Sequence, residues 1–207
     1  MPENLHKLFV ISSPSGGGKT SLINKVFEDS RSANFEKSIS DTSRQKRQGD
    51  LEGKDYYFLS EKDFKEKIKK EEYVEYATVF GNFYGTSKSE IKTKYNNSNL
   101  VLELDWQGAY AVKKLFEDAK LIFLVPPSLD DLKQRLIKRN LDSSEEIENR
   151  LSEAKKEISK SEMYDFLVLN DDFDRAFEDL SQILFKGISS KDFNSRVSKD
   201  LIERLVE

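Results

Sequence analysis

The sequence is most constrained by a glycine-rich turn within residues 8–21, between a short apolar segment and a helical pattern. The apolar segment Leu8–Ile11 predicts a buried parallel strand. The apolar residues from Leu22 to Phe27 have the spacing of an amphipathic helix. A strand, a glycine turn, Lys-Thr and a helix in this order form a phosphate-binding loop, where backbone N–H groups and the helix N-terminus face one anion. The pattern therefore predicts such a loop in an α/β fold.

We name this turn the phosphate loop and predict that all its residues bind a nucleoside triphosphate. They are Ser13, Pro14, Ser15, Gly16, Gly17, Gly18, Lys19, Thr20 and Ser21. Lys19 would reach the β- and γ-phosphates, and the Thr20 hydroxyl would bind Mg²⁺. Ser13 stands where the usual pattern has glycine, so a side chain must fit at the first bend. The alternative is a flexible turn with a solvated lysine, but the flanking strand and helix favour the anion site.

Composition excludes several classes of function. The 207 residues suit one α/β domain, and the net charge of −4 disfavours nucleic-acid binding. The absence of cysteine excludes disulfides and thiolate metal sites, and His6, the only histidine, precedes the first strand. No secretory signal or bilayer-length apolar run is evident, so we expect no membrane partner and a cytoplasmic location. The sequence leaves open whether the chain forms a homo-oligomer.

Beyond the phosphate loop, strands and helices alternate again from Leu100 onward. This alternation predicts a parallel sheet covered by helices on both faces. Residues 35–95 interrupt it with short aromatic strands, which indicates an inserted subdomain of mixed α/β structure. We also expect Thr86 to cap a helix, and the apolar spacing of 193–205 predicts a helical tail.

A basic loop opens the insert with the pattern S-x-x-x-R-x-x-R, formed by Ser40, Arg44 and Arg47. Two guanidinium groups and a hydroxyl on one loop can converge on a single phosphate. Tyr56 and Tyr84 could add phenolic hydrogen bonds. A solvated basic loop is the alternative. Beside a phosphate loop, however, the pattern suggests a second, phosphorylated substrate.

Several segments together resemble the guanylate kinase family. They are Ser38–Arg44, Gly53–Phe58, Phe80–Thr86, Leu102–Gly108 and Val168–Asp172. The resemblance runs in order from the phosphate loop to about Leu184. It implies transfer of the γ-phosphoryl group of ATP to GMP, and to dGMP, with Mg²⁺ as cofactor and ATP and GMP as partners.

The resemblance also implies a division of the chain. The core would be 1–34, 97–127 and 163–207, the GMP-binding insert 35–96, and a helical lid 128–162. The phosphate loop would then hold ATP, with Asn170 as a contact to adenine. Closure of the lid would bring its arginines onto the transferred phosphoryl group.

The GMP-binding residues implied by the resemblance fall into two sets. Ser40, Arg44, Arg47, Tyr56 and Tyr84 would hold the GMP phosphate, and Glu75, Thr86 and Asp105 would recognise guanine. A carboxylate at Glu75 can accept from guanine N1–H and the exocyclic amine, while the Thr86 hydroxyl donates to O6. Adenine lacks those N–H groups, so its binding would leave polar groups of the site unpaired.

The catalytic residues implied by the resemblance are Lys19, Arg135, Arg139 and Arg150. Thr20 and Glu103 would hold Mg²⁺, although the family more often has aspartate at the position of Glu103. A strand-end carboxylate paired with Lys19 or an arginine is the alternative role for Glu103.

Two other functions remain open. A guanylate-kinase-like binding module could use the GMP pocket for phosphopeptides without catalysis, but Lys19 and the lid arginines argue against it. Another phosphate-loop kinase could act on a different small phosphorylated substrate, but Glu75 and Thr86 favour guanine.

Overall fold

The computed structural model describes residues 6–47, 49–79, 81–138 and 143–207. It divides the chain into two compact units. The first combines the segment ending at Phe9 with Asn34–Ala119, and the second combines Val10–Ala33 with Lys120–Glu207. No helix of the described residues has the length and apolar character needed to cross a membrane.

The strands of the described residues are mostly short. They are β1 (Leu8–Ser12), β2 (Phe35–Lys37), β3 (Asp41–Thr42), β4 (Tyr57–Phe58), β5 (Tyr73–Val79), β6 (Asn82–Ser87), β7 (Asn99–Glu103), β8 (Lys120–Val125) and β9 (Phe166–Leu169). β1 is wholly buried, as is β8 after its first residue, which explains their uninterrupted apolar sequences.

The α-helices occupy the segments between these strands and the end of the chain. They are α1 (Lys19–Glu28), α2 (Glu61–Lys69), α3 (Lys88–Tyr95), α4 (Trp106–Leu115), α5 (Leu129–Lys138), α6 (Ser144–Ile158), α7 (Phe173–Leu184) and α8 (Lys199–Val206). A capping box starts α6, because Ser143 and Glu146 each hydrogen-bond the other's backbone.

The main sheet has five strands in the order β2-β7-β1-β8-β9. The first unit holds β2, β7 and the start of β1, and the second holds the rest of β1 with β8 and β9. β2 and β7 are parallel, as are β8 and β9. Within the units, α3 packs against β7 and α7 against β9. The predicted parallel α/β sheet with flanking helices is therefore confirmed.

A second sheet lies wholly within the first unit, in the order β4-β3-β6-β5. β3 pairs with β4 in parallel and with β6 antiparallel, and β5 and β6 are antiparallel. This mixed sheet is the inserted α/β structure that the sequence predicted. α2 supplies the buried Phe64, whose ring stacks on those of Tyr73 and Phe83 at 4.5 and 5.3 Å.

Two sequence expectations are wrong. Thr86 lies inside β6, and the next residue, Ser87, caps α3 by accepting a hydrogen bond from the Glu90 backbone. The helical tail covers only α8, which begins after its own cap, Ser198. Phe193 instead lies in the irregular segment before α8, where its ring packs edge-on against Phe166.

Candidate functional site

The phosphate loop has a backbone that only glycine allows at several positions. Gly16 and Gly18 have φ angles of 86° and 85°, in the left-handed region. Gly17 donates from its backbone N–H to the Pro14 carbonyl at 2.8 Å. A Cβ at Gly17 would lie 2.8 Å from that same oxygen, closer than real contacts allow. The glycine run therefore permits a turn that side chains would block.

The N-cap residue of α1 makes no side-chain hydrogen bond to the first turn of the helix. Gly18 is the N-cap residue, and the first turn contains no acidic side chain. N–H groups at a helix N-terminus attract anions, both by hydrogen bonding and through the helix dipole. Lys19 and Thr20 open the same helix, and Thr20 is exposed. Such a helix start is typical of anion-binding loops, and the binding of a nucleoside triphosphate here stays a prediction.

Two of the three predicted lid arginines lie against the phosphate loop. Arg150, on α6, donates from Nη1 to the Ser15 hydroxyl at 2.7 Å. Arg135, on α5, donates from Nη2 to the backbone carbonyl of Asn170 at 3.0 Å. Arg139, the third, is outside the described residues. Both described guanidinium groups are thus held beside the loop by hydrogen bonds, and their catalytic role stays a prediction.

Asn170 follows directly after β9 and is only 4% exposed. Its side-chain amide donates from Nδ2 to the Gly17 carbonyl at 2.6 Å. Its backbone N–H donates to the Val125 carbonyl at the end of β8. Asn170 therefore connects the carboxyl ends of β8 and β9 to the phosphate loop, while its predicted contact with adenine stays a prediction.

In the first unit, Glu75, Thr86 and Asp105 come together, and we call them the base cluster. Glu75 on β5 lies opposite Thr86 on β6 and accepts hydrogen bonds from its hydroxyl and backbone N–H. Burial raises the pKa of the Glu75 carboxyl to about 7; the Asp105 carboxylate acts in the same direction, and the Thr86 hydrogen bonds oppose both. The three predicted guanine contacts therefore lie close enough to interact electrostatically.

The carboxylate of Glu75 lies against the first turn of α4. Asp105 caps this helix, accepting from the Gly108 backbone N–H at 2.8 Å. A Cβ at Gly108 would come within 3.1 Å of Glu75 Oε2. The absence of a side chain at Gly108 therefore makes room for the Glu75 carboxylate. Sequence reasoning did not single out this glycine.

Arg44, Arg47 and Asp50 form what we call the arginine loop. Asp50 Oδ2 accepts from Arg44 Nη2 at 2.9 Å and from the Arg47 backbone N–H at 2.7 Å. Hydrogen bonds to this carboxylate hold its pKa below the usual range despite the opposing effect of burial, so it stays ionised. The Arg47 residue is exposed. Asp50 was missed by sequence reasoning, although a carboxylate just after two arginines is a usable signal for an ion pair.

Aromatic rings connect the arginine loop to the rest of this site. The Arg44 guanidinium lies 5.4 Å from the centre of the Tyr56 ring, and Tyr56 packs edge-on against Tyr84 at 5.7 Å. Burial, and secondarily the Glu103 carboxylate, raises the pKa of Tyr56, so its hydroxyl keeps its proton. Ser40 lies 3.4 Å from the Thr86 hydroxyl. Of the predicted phosphate-binding residues, Ser40 therefore lies beside the base cluster.

Glu103, at the end of β7, forms an ion pair with Lys37 at 2.9 Å. The alternative considered for Glu103 was a strand-end carboxylate paired with Lys19 or an arginine, whereas the partner in the structure is Lys37. Thr20, the other predicted magnesium ligand, belongs to the second unit. A carboxylate and a hydroxyl are hard oxygen donors of the kind that Mg²⁺ prefers.

A buried ion pair supports the strand between Ser40 and Arg44. Asp41 is 4% exposed, and its carboxylate pairs with Lys67 of α2 and accepts from the Tyr73 hydroxyl at 2.8 Å. Sequence reasoning missed this cluster, because its three members come from separate elements and none belongs to a local motif.

Comparisons with known proteins agree with these features. A family model described as guanylate kinase matches residues 5–187. A protein named guanylate kinase from Wolbachia sp. subsp. Brugia malayi is 45% identical over 186 residues, which cover 89% of this chain and 94% of the relative. One from Francisella tularensis subsp. holarctica (strain LVS) is 42% identical over 187 residues, covering 88% and 98%. The crystal structure of guanylate kinase from Anaplasma phagocytophilum matches with a TM-score of 0.71 and 33% identity, covering 90% of this chain and 88% of that one.

Proposed function

Since the chain belongs to the guanylate kinase family, we propose that it transfers the γ-phosphoryl group of ATP to GMP and releases ADP and GDP. An oxygen of the GMP phosphate forms a bond to the γ-phosphorus, while the bond from that phosphorus to the β,γ-bridging oxygen breaks and ADP leaves. dGMP is accepted too, since none of the roles assigned to the site requires the ribose 2′-hydroxyl. ATP and GMP meet in the cytoplasm, which is the location we propose.

The phosphate loop binds ATP in this proposal. The start of α1 at Lys19, with glycine as its N-cap, and the left-handed backbone at Gly16 and Gly18 support this assignment. Lys19 neutralises the β- and γ-phosphates, and Ser13, Pro14, Ser15 and Ser21 complete the loop. Asn170 approaches the adenine end of the nucleotide.

Arg135, Arg139 and Arg150 stabilise the transferred group. Phosphoryl transfer spreads negative charge over the equatorial oxygens, and guanidinium groups placed beside them lower the barrier. The hydrogen bonds of Arg150 to Ser15 and of Arg135 to Asn170 support this role, because they hold both groups beside the phosphate loop.

Magnesium bound with ATP would supply positive charge to the phosphates. The Thr20 hydroxyl would hold it directly, and the Glu103 carboxylate directly or through water. The ion pair with Lys37 orients the Glu103 carboxylate, which supports a role in water-mediated binding.

The base cluster selects guanine. This assignment depends on one observation, the buried position of the Glu75 carboxylate opposite Thr86. Glu75 accepts from guanine N1–H and the exocyclic amine, and the Thr86 hydroxyl turns from Glu75 to donate to O6. Asp105 supports the exocyclic amine. Burial of a carboxylate beside two further polar groups costs free energy of desolvation. Only a ligand with matching donors offsets that cost.

The GMP phosphate is held by Ser40, Arg44, Arg47, Tyr56 and Tyr84. The Arg44 side chain, only 12% exposed and fixed by Asp50, supports a preorganised phosphate site.

The insert 35–96 and the lid 128–162 close over the two nucleotides, because open sites would let water accept the phosphoryl group.

A matched pair of variants tests the two-site assignment. Arg44→Met removes the guanidinium that faces Tyr56, whereas Lys46→Met removes an exposed charge from the same loop. We expect Arg44→Met to raise the KM for GMP about tenfold or more, the effect of one charged hydrogen bond, without changing the KM for ATP. Lys46→Met should change neither. Equal effects of the two variants would refute the assignment.

A further inference from the structure

The segment between α7 and α8 runs back to β9 in the second unit. The Ser195 hydroxyl donates to the Leu167 carbonyl at 2.6 Å, and the Phe193 ring packs on Phe166 at 5.6 Å. Both β9 residues lie within the family match of residues 5–187, whereas Ser195 and Phe193 lie beyond it. The tail therefore adds contacts to β9 from outside the matched region.

Arg196 makes the strongest contacts of this segment. Its Nη1 pairs with Asp171 at 2.7 Å, and its Nη2 donates to the Leu169 carbonyl at 2.9 Å and pairs with Asp179 at 3.1 Å. A guanidinium forks rigidly, so one side chain fixes three acceptors from the end of β9 and from α7. Such charge-assisted contacts restrict motion more than neutral hydrogen bonds do.

Two of those acceptors flank Asn170. The Leu169 carbonyl precedes Asn170 and the Asp171 carboxylate follows it. Asn170 in turn holds the phosphate loop through the Gly17 carbonyl, at 2.6 Å, and receives Arg135 on its backbone carbonyl, at 3.0 Å. Displacing the backbone at Asn170 would therefore move the loop and Arg135 together.

We propose that Arg196 is a positioning residue for the ATP site, because its contacts on both sides of Asn170 fix the residue that supports Gly17 and Arg135. This inference rests on the proposed assignment of the phosphate loop to ATP. α8 packs against α6, the helix that carries Arg150, so the tail supports the loop from a second direction.

Arg196→Met tests the proposal, since it keeps the aliphatic stem and removes the guanidinium. Arg204→Met is the matched control, because Arg204 lies on α8 and pairs with exposed Asp200, at 3.0 Å. Titration calorimetry would measure the affinities for ADP and for GMP separately. Steady-state kinetics would measure the KM for ATP and the KM for GMP. We expect Arg196→Met to weaken ADP binding and raise the KM for ATP about fivefold, with GMP affinity unchanged. Arg204→Met should leave both affinities unchanged.

Three results overturn the proposal. ADP affinity could be unchanged in folded Arg196→Met, the two nucleotides could lose affinity by the same factor, or Arg204→Met could have the same effect. If Arg196→Met does not fold, Asp171→Asn, which leaves the Asp179 pair intact, must show the same selective loss of ADP affinity. Wild type that binds no ADP would refute the proposed function itself, whereas wild-type ADP binding that Arg196→Met leaves unaltered refutes only this inference.

Discussion

The ionisation of Glu75 should govern GMP binding between pH 6 and 8. Burial above all, together with the nearby Asp105 carboxylate, raises the pKa of this carboxyl to about 7 against the opposing hydrogen bonds from Thr86. Only the ionised form can accept hydrogen bonds from both guanine N1–H and the exocyclic amine. Acidification should therefore weaken GMP binding in a range where an ordinary glutamate, with a pKa near 4.3, stays ionised.

The size of the effect follows from that pKa. At pH 8 about nine-tenths of the Glu75 carboxyl is ionised, and at pH 6 about one-tenth, for a pKa of about 7. GMP affinity should thus fall about tenfold across this range, or about 1.4 kcal/mol. The free energy of unfolding should change in the opposite direction to GMP affinity and fall as pH rises. The folded state holds the Glu75 proton more tightly than the unfolded state, so its contribution is present at low pH and is lost as pH rises from 4.5 through about 7.

Titration calorimetry with wild type and Glu75→Gln separates this effect from titration of the GMP phosphate, whose second pKa is about 6. The phosphate contributes equally to both proteins, so the difference between their pH slopes reports Glu75 alone. We expect weaker GMP binding by the variant at pH 8 and a shallower pH slope. Identical slopes, or wild-type affinity that is flat between pH 8 and 6.5, would refute this account of the base cluster.

Three further predictions follow from close contacts. Gly17→Ala should lower ADP affinity about tenfold in calorimetry, since its Cβ would lie 2.8 Å from a backbone carbonyl; unchanged affinity would contradict the loop geometry. Gly108→Ala should raise the KM for GMP about fivefold and leave the KM for ATP unchanged, because its Cβ would lie 3.1 Å from Glu75 Oε2; equal changes in both would point to general distortion. Lys67→Met should lower the free energy of unfolding by about 2 kcal/mol in urea titrations, because it leaves the buried Asp41 carboxylate without its cation; a change below about 0.5 kcal/mol would contradict the burial of this pair.

Local patterns accounted for much of the fold. The phosphate loop was predictable because its glycines, Lys19 and the flanking apolar segments lie consecutively in the sequence. The capping box at Ser143 was predictable for the same reason, since both partners lie within one helical turn. Resemblance to a family added the base cluster, whose members lie far apart in sequence.

The wrong predictions concern helix boundaries at which two local structures were equally compatible with the sequence and tertiary contacts determined which one formed. Thr86 and Ser87 can both cap a helix, and the pairing of Thr86 with Glu75 across β5 and β6 left Ser87 as the cap. Phe193 has the spacing of a helical residue, but its packing on Phe166 holds it outside α8. Such choices depend on neighbours that only the folded chain brings together.

Long-range polar contacts outside the segments that resemble the family could not be predicted. Arg196 pairs with Asp171 and Asp179, which precede it by 25 and 17 residues, and no periodic pattern connects such positions. The role of Gly108 could not be predicted either, because the sequence contains no sign that a carboxylate from β5 packs on its backbone.

The most direct test of the central claim measures ADP formation from Mg·ATP with GMP, AMP, CMP and UMP as separate acceptors. Wild type would be compared with Lys19→Ala. The account predicts turnover with GMP alone, abolished by the substitution. Turnover with AMP equal to that with GMP would contradict the role of the base cluster. Absence of turnover, with GMP or phosphopeptide binding that survives Lys19→Ala, would show a binding module instead of a kinase.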